Sequence, residues 1–149
     1  MTGENYLAQV VRTLQPGSLL PEWHRTPTRI TCFLFAVAWW APHRVHYDIE
    51  WARQEGLDDV MVPGLLISEY VVTAITSWSG DPCHLRRLAV RNTGPAFAGE
   101  NLTVRAQVAE VAPAGDRTAV TFDFSVSKDG GQSVATGQGT VEVTVAPCS

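Results

Sequence analysis

The sequence predicts an α+β fold in which one long apolar helix lies against an antiparallel sheet, and three observations carry that expectation. Pro63 and Gly64 open a segment, GLLISEYVVTAITSW, that is apolar nearly all round; such a helix belongs in a core. Downstream, Leu102, Val104, Ala106 and Val108 alternate with Thr103, Arg105, Gln107 and Ala109, and Val120, Phe122, Phe124 and Val126 alternate equally cleanly. Period two is the mark of half-buried strands. Turn residues at 113–117 and 128–131 separate these runs, so the strands should follow one another as an antiparallel meander.

With 149 residues and 45% hydrophobic content, the chain is long and apolar enough to bury a core, and residues 1–149 read as one domain. Net charge is -4 and the basic residues are scattered apart from Arg86 and Arg87, which argues against nucleic acid as a partner. Glu4 interrupts an N-terminus with no unbroken apolar run, against a signal peptide, and no stretch is apolar for long enough to span a bilayer. A cytoplasmic protein with no membrane partner is expected. Cys32, Cys83 and Cys148 are odd in number and widely spaced, so they read as free thiols and no metal site is expected.

Tyr6, Leu7, Val10, Val11 and Leu14 recur at helical spacing before Gln15-Pro16-Gly17, which predicts a short amphipathic helix. Residues 28–40 are nearly continuous β-branched, aromatic and small apolar side chains, as expected of a strand covered on both faces, with Pro42 beyond its end. Residues 48–55 suit a short helix capped by Asp48 and closed by Gly56. A loop at 57–62 leads to Pro63, which suits a first helical turn because its missing N–H has no partner there anyway. The run of Val71, Val72, Thr73, Ile75 and Thr76 favours strand by propensity, but length and the Pro63 start favour helix through Trp78. After a turn at 79–82 come the strands, the last starting near Gln132. Its face of Ala135, Gly137, Gly139, Val141, Val143 and Val145 is small at one end, as if a buried helix lay on it.

Three ordered motifs carry a resemblance. HRVHYDIEWA at residues 43–52 resembles the histidine-bearing signature of the MaoC-like dehydratases, especially the relatives of fatty-acid-synthase-type and mesaconyl-thioester hydratases. VPGLL at 62–66 looks like their helix-opening glycine motif, and RNTGPAFAGENL at 91–102 like their strand-entry motif. The resemblance spans roughly residues 28–145 and implies a single hot-dog fold, a long central helix wrapped by a bent antiparallel sheet. It implies hydration of enoyl thioesters, or dehydration of 3-hydroxyacyl thioesters, on coenzyme A or acyl carrier protein, with no metal or redox cofactor. It also implies a homodimer, or a heteromer with another hot-dog chain.

By the same resemblance His46 handles the proton or water and the Gly64 amide binds the thioester carbonyl. Those types suit the chemistry, since removing a proton beside a thioester builds negative charge on its oxygen and a free N–H at a helix start is aimed at such charge. The sequence departs from the family at two places: the acid or amide five residues before the histidine is Ala41, and the residue before the glycine is Pro63 rather than histidine. His43 either replaces the acid or is an exposed loop residue. Trp40 and Tyr47, beside the histidines, are candidate substrate contacts, with core filling as the alternative. Glu69 faces outward or, as in hot-dog thioesterases, activates water. Arg86, Arg87 and Arg91 either meet phosphates or are solvated strand ends. The main rival to the hydro-lyase is a non-catalytic or specialised subunit that pairs with an active hot-dog partner, with Ala41 as the trace of a lost site, and the thioesterase is third.

Overall fold

The computed structural model describes residues 13–78 and 83–144; the helix expected over Tyr6 to Leu14 and the turn at 79–82 lie largely or wholly outside them. Thr13 is helical, and the first element described whole is a short strand the pattern did not announce, β1 (Trp23–Arg25). Beyond it, residues expected as a strand form helix α1 (Arg29–Ala38). Its start is decided by two threonines: the Thr28 hydroxyl accepts the Thr31 amide at 3.0 Å and the Thr31 hydroxyl accepts the Thr28 amide at 3.3 Å, a reciprocal cap. Cys32 and Ala36, one turn apart, are buried, whereas Ile30, Phe33, Leu34 and Val37 are exposed. Apolar residues on both faces erase the contrast from which a helical period is read.

Asp48 caps α2 (Ile49–Gln54), and Gly56 follows it in the left-handed region at φ 79°. The long helix is α3 (Gly64–Ser77). Pro63 stands one position earlier than expected, as the N-cap, with its carbonyl accepting the amides of Leu66 and Ile67 at 2.9 and 3.2 Å. Among the described residues four long strands follow: β2 (Cys83–Asn92), β3 (Leu102–Ala114), β4 (Arg117–Lys128) and β5 (Ser133–Thr144). They pair antiparallel in the order β1-β3-β4-β5-β2, so β1 and β2 are the edges. The turn expected over 113–117 narrows to Gly115 and Asp116, since Pro113 and Ala114 still pair with Thr118 and Arg117. Register shifts at Leu85/Arg87, Val108/Glu110 and Val126/Ser127 bend the sheet.

Helix α3 packs against all five strands. It buries Leu66, Ile67, Val71, Ala74 and Ile75 over the inward row Leu102, Val104, Ala106 and Val108 and its counterpart on β4. The small end of β5 has the reason expected. A methyl group at Gly139 would lie 2.5 Å from Ile75 Cδ1, so the glycine admits the helix; one at Gly137 would meet the Ala89 carbonyl of β2 and the Phe124 ring. Full burial of α3 does not hold in the chain alone: Leu65, Glu69, Thr73 and Ser77 form an exposed stripe at four-residue spacing. Among the described residues no helix is long and apolar enough to cross a membrane.

Candidate functional site

The histidine motif folds as a tight bend between α1 and α2, and its charged residues hold that bend. Arg44 donates to the Asp48 carboxylate at 2.6 and 3.1 Å and lies 4.2 Å from the centre of the Trp51 ring. The same carboxylate accepts the Trp51 amide at 3.0 Å. That amide, and then the Arg44 guanidinium, hold the Asp48 carboxyl below its ordinary pKa. The acid of the motif is therefore a helix cap, as its position suggested. Tyr47 Oη donates to the Pro42 carbonyl at 3.1 Å and tightens the loop around the histidines. The Tyr47 ring is not on the core: it is 39% exposed and meets Phe33 edge-on at 6.1 Å.

His46 ends a single 3₁₀ turn (Arg44–His46) pinned by buried Val45. Its Nδ1 lies 2.8 Å from the Met61 carbonyl. A carbonyl only accepts, so in the neutral ring Nδ1 carries the hydrogen and Nε2 presents a lone pair. His43 is exposed, its ring perpendicular to that of His46 at 5.8 Å. The structure brings these two together.

Met61 links the imidazole to the helix start. Its amide donates to the Val45 carbonyl at 2.9 Å, it pairs with Phe97, and two residues later Pro63 caps α3. The Arg29–Asp59 ion pair at 2.6 and 2.8 Å ties the same segment to the beginning of α1; the Arg29 hydrogen bonds lower the Asp59 carboxyl's pKa. Gly64 is the first residue of α3, and among the described residues its N–H has no hydrogen-bond partner. It borders a cleft of about 300 Å³ with Met61, Ile67 and Pro95, and a groove of about 640 Å³ with Leu65, Glu69 and Leu88. His46 lines neither. A single chain thus holds the imidazole and the amide on one segment without enclosing them in one cavity.

One residue of the strand-entry motif was not singled out from sequence. Asn92, at the end of β2, lines both spaces beside Gly64, and its Nδ2 lies 2.8 Å from where a Gly64 side chain would begin. Its position in RNTGPAFAGENL was the available signal; which helix it touches was not. The rest of the motif is structural: the Glu100 carboxylate accepts the Phe97 amide at 2.8 Å and the Lys128 ammonium at 3.0 Å. Glu69 is exposed on the groove that Gly64 borders, and Ala41 lines a separate apolar cleft with Trp40 and Tyr47. Arg86 pairs with Glu142 at 3.1 Å, whereas Arg87 and Arg91 are exposed along β2.

The sequence model of a family described as hydroxyacyl-thioester dehydratase type 2 matches residues 9–98. No curated protein sequence matches the chain significantly. Among solved structures, the R-hydratase PhaJ1 from Pseudomonas aeruginosa is similar with a TM-score of 0.80 at 21% identity, covering 93% of this chain and 92% of that one. A chain of the ChsH1-ChsH2 complex from Mycobacterium tuberculosis gives 0.77 at 21% identity, over 88% of this chain and 99% of that one. A MaoC-like dehydratase from Rhodospirillum rubrum gives 0.77 at 20% identity, over 92% and 97%. At these identities the likeness shows the fold, a hot-dog arrangement of long helix and bent sheet.

Proposed function

This chain belongs to the hydroxyacyl-thioester dehydratase type 2 family, within the MaoC-like hot-dog proteins, and from that premise we propose that it interconverts 3-hydroxyacyl and enoyl thioesters carried on coenzyme A or acyl carrier protein. The observation that carries the reading is the 2.8 Å contact of His46 Nδ1 with the Met61 carbonyl, which in the neutral ring leaves the Nε2 lone pair to act as a base. In the dehydration direction Nε2 would take the proton next to the thioester carbonyl, and the resulting imidazolium would return it to the departing hydroxyl as water leaves. The Gly64 N–H would receive the carbonyl oxygen as charge grows there. With a methyl group at Ala41, either this imidazole performs both transfers or His43 shares them.

The separation of His46 from the clefts beside Gly64 supports a second chain completing the site, either another copy or a different hot-dog chain. Mass spectrometry of panels of enoyl- and 3-hydroxyacyl-thioesters incubated with the purified protein tests the reading. Gain or loss of one water by the acyl group is expected; an unchanged panel, with the fold verified, would remove it. A second reading is favoured by Ala41 and by the likeness to a chain of a complex of two named components: a subunit that shapes the tunnel of an active partner. Hydrolysis, the third, rests on Glu69 beside Gly64, and the same panel separates it by release of free thiol.

A further inference from the structure

We infer that the cleft between α1 and the histidine turn seats a hydrocarbon chain, namely the acyl tail of the substrate. The inference rests on the thioester reading only for what the tail is attached to. The cleft measures about 270 Å³ and its walls include Phe33, Val37, Trp40, Ala41 and Tyr47. Among the described residues no charged side chain lines it, and the one hydroxyl on its wall, Tyr47 Oη, is already committed to the Pro42 carbonyl. A ligand entering it finds no side-chain partner for a phosphate, amide or carboxylate, which selects for hydrocarbon. The volume sits near the lower bound of small-molecule pockets, roughly 300 Å³.

Trp40 gives an independent argument. It occupies the left-handed position just past the end of α1, at φ 50°, with the Trp40 and Ala41 amides bonded to the Val37 and Ala36 carbonyls at 3.2 and 2.8 Å. Glycine is the residue that position favours. Instead it carries the largest side chain available, 87% exposed to solvent. Neither backbone preference nor burial in the chain alone accounts for a tryptophan here; a ligand covering its face does. The cleft also touches the histidine site at both ends of one loop: Ala41 begins it, and Tyr47 directly follows His46. The Ala41 methyl group is thus part of the apolar wall, and a tail lying there runs beside the loop that carries the imidazole.

Isothermal titration with saturated acyl-coenzyme A thioesters of increasing length tests this without turnover, because they have no double bond to hydrate. In the wild type the affinity should rise about fourfold per added methylene until the cleft is full. Trp40→Gly should flatten that rise, with no loss of melting temperature because glycine suits the backbone. Val37→Phe, which fills the cleft, should make the rise stop at a shorter chain. Equal slopes in all three proteins, or no binding of any saturated thioester, would overturn the inference. So would conversion of Trp40→Gly to a smaller oligomer with affinity lost equally at every length, which would assign the face to a partner chain. A preserved slope without turnover sinks the hydro-lyase reading and leaves the cleft standing; turnover with equal slopes does the reverse.

Discussion

At the residue scale the question is what one imidazole can do without an acid beside it. His46 is oriented by a backbone carbonyl, which sets the tautomer but carries no full charge to stabilise an imidazolium. General acid–base groups contribute about a hundredfold to ten-thousandfold, so His46→Ala should remove nearly all turnover in a thioester hydration assay, and His43→Ala should cost less. A demonstrated rate that survives His46→Ala would overturn the assignment. Ala41→Asp should raise hydration of simple enoyl thioesters, because it restores a carboxylate five residues before the histidine; activity seen only in that variant would favour the subunit reading. Gly64→Pro removes a donor at a helix start that suits proline, and Gly64→Ala, which keeps the donor but brings the same Cβ against Asn92 Nδ2 at 2.8 Å, separates the lost N–H from the crowding. For Gly64→Pro a loss of about a hundredfold to a thousandfold is expected in kcat, with far-ultraviolet dichroism unchanged.

At the scale of elements, caps and close approaches place the site. Folding lowers the pKa of Asp48 through the Trp51 amide and then Arg44. Its stabilising contribution is therefore complete above the ordinary carboxylate range, near pH 4, and disappears as pH falls through the lowered value. The stability gap between wild type and Asp48→Asn, read from thermal melts, should be present at neutral pH and close below about pH 4. A gap that persisted in acid would mean the carboxylate charge was not the source. Gly139 is the contact on which α3 rests. A valine there would drive a methyl group into Ile75, and overpacking of that kind costs about 1–3 kcal/mol in denaturant unfolding.

At the scale of the molecule, the sheet ends in unlike edges. β1 is three residues long, whereas β2 is ten, with Leu85 exposed across a groove from the outward stripe of α3. A long edge with unpaired backbone groups invites a second strand, and a two-fold pairing would bring that groove against its equivalent. Sedimentation at micromolar concentration should show a dimer or larger assembly, shifted toward monomer by Leu85→Glu, which adds charge beside Glu69. A monomeric wild type would count against a site completed by a second chain.

What the sequence by itself determined is the set of elements whose burial is one-sided or whose ends carry a signal. The strands β3 and β4 were legible because Val104 and Val120 alternate with polar neighbours, and α3 because Pro63 and Gly64 mark its start. The family was legible in three short stretches in order, and Asp48 as a cap. The tertiary structure alone decided that residues 29–38 are helical, since a pattern apolar on every side records a preference for burial and not which face obtains it. It alone decided that Asn92 lies on Gly64 and that His46 is held by a carbonyl fifteen residues away. Periodicity reports local geometry, and contacts between distant segments depend on how the helix and sheet pack, which no local pattern contains.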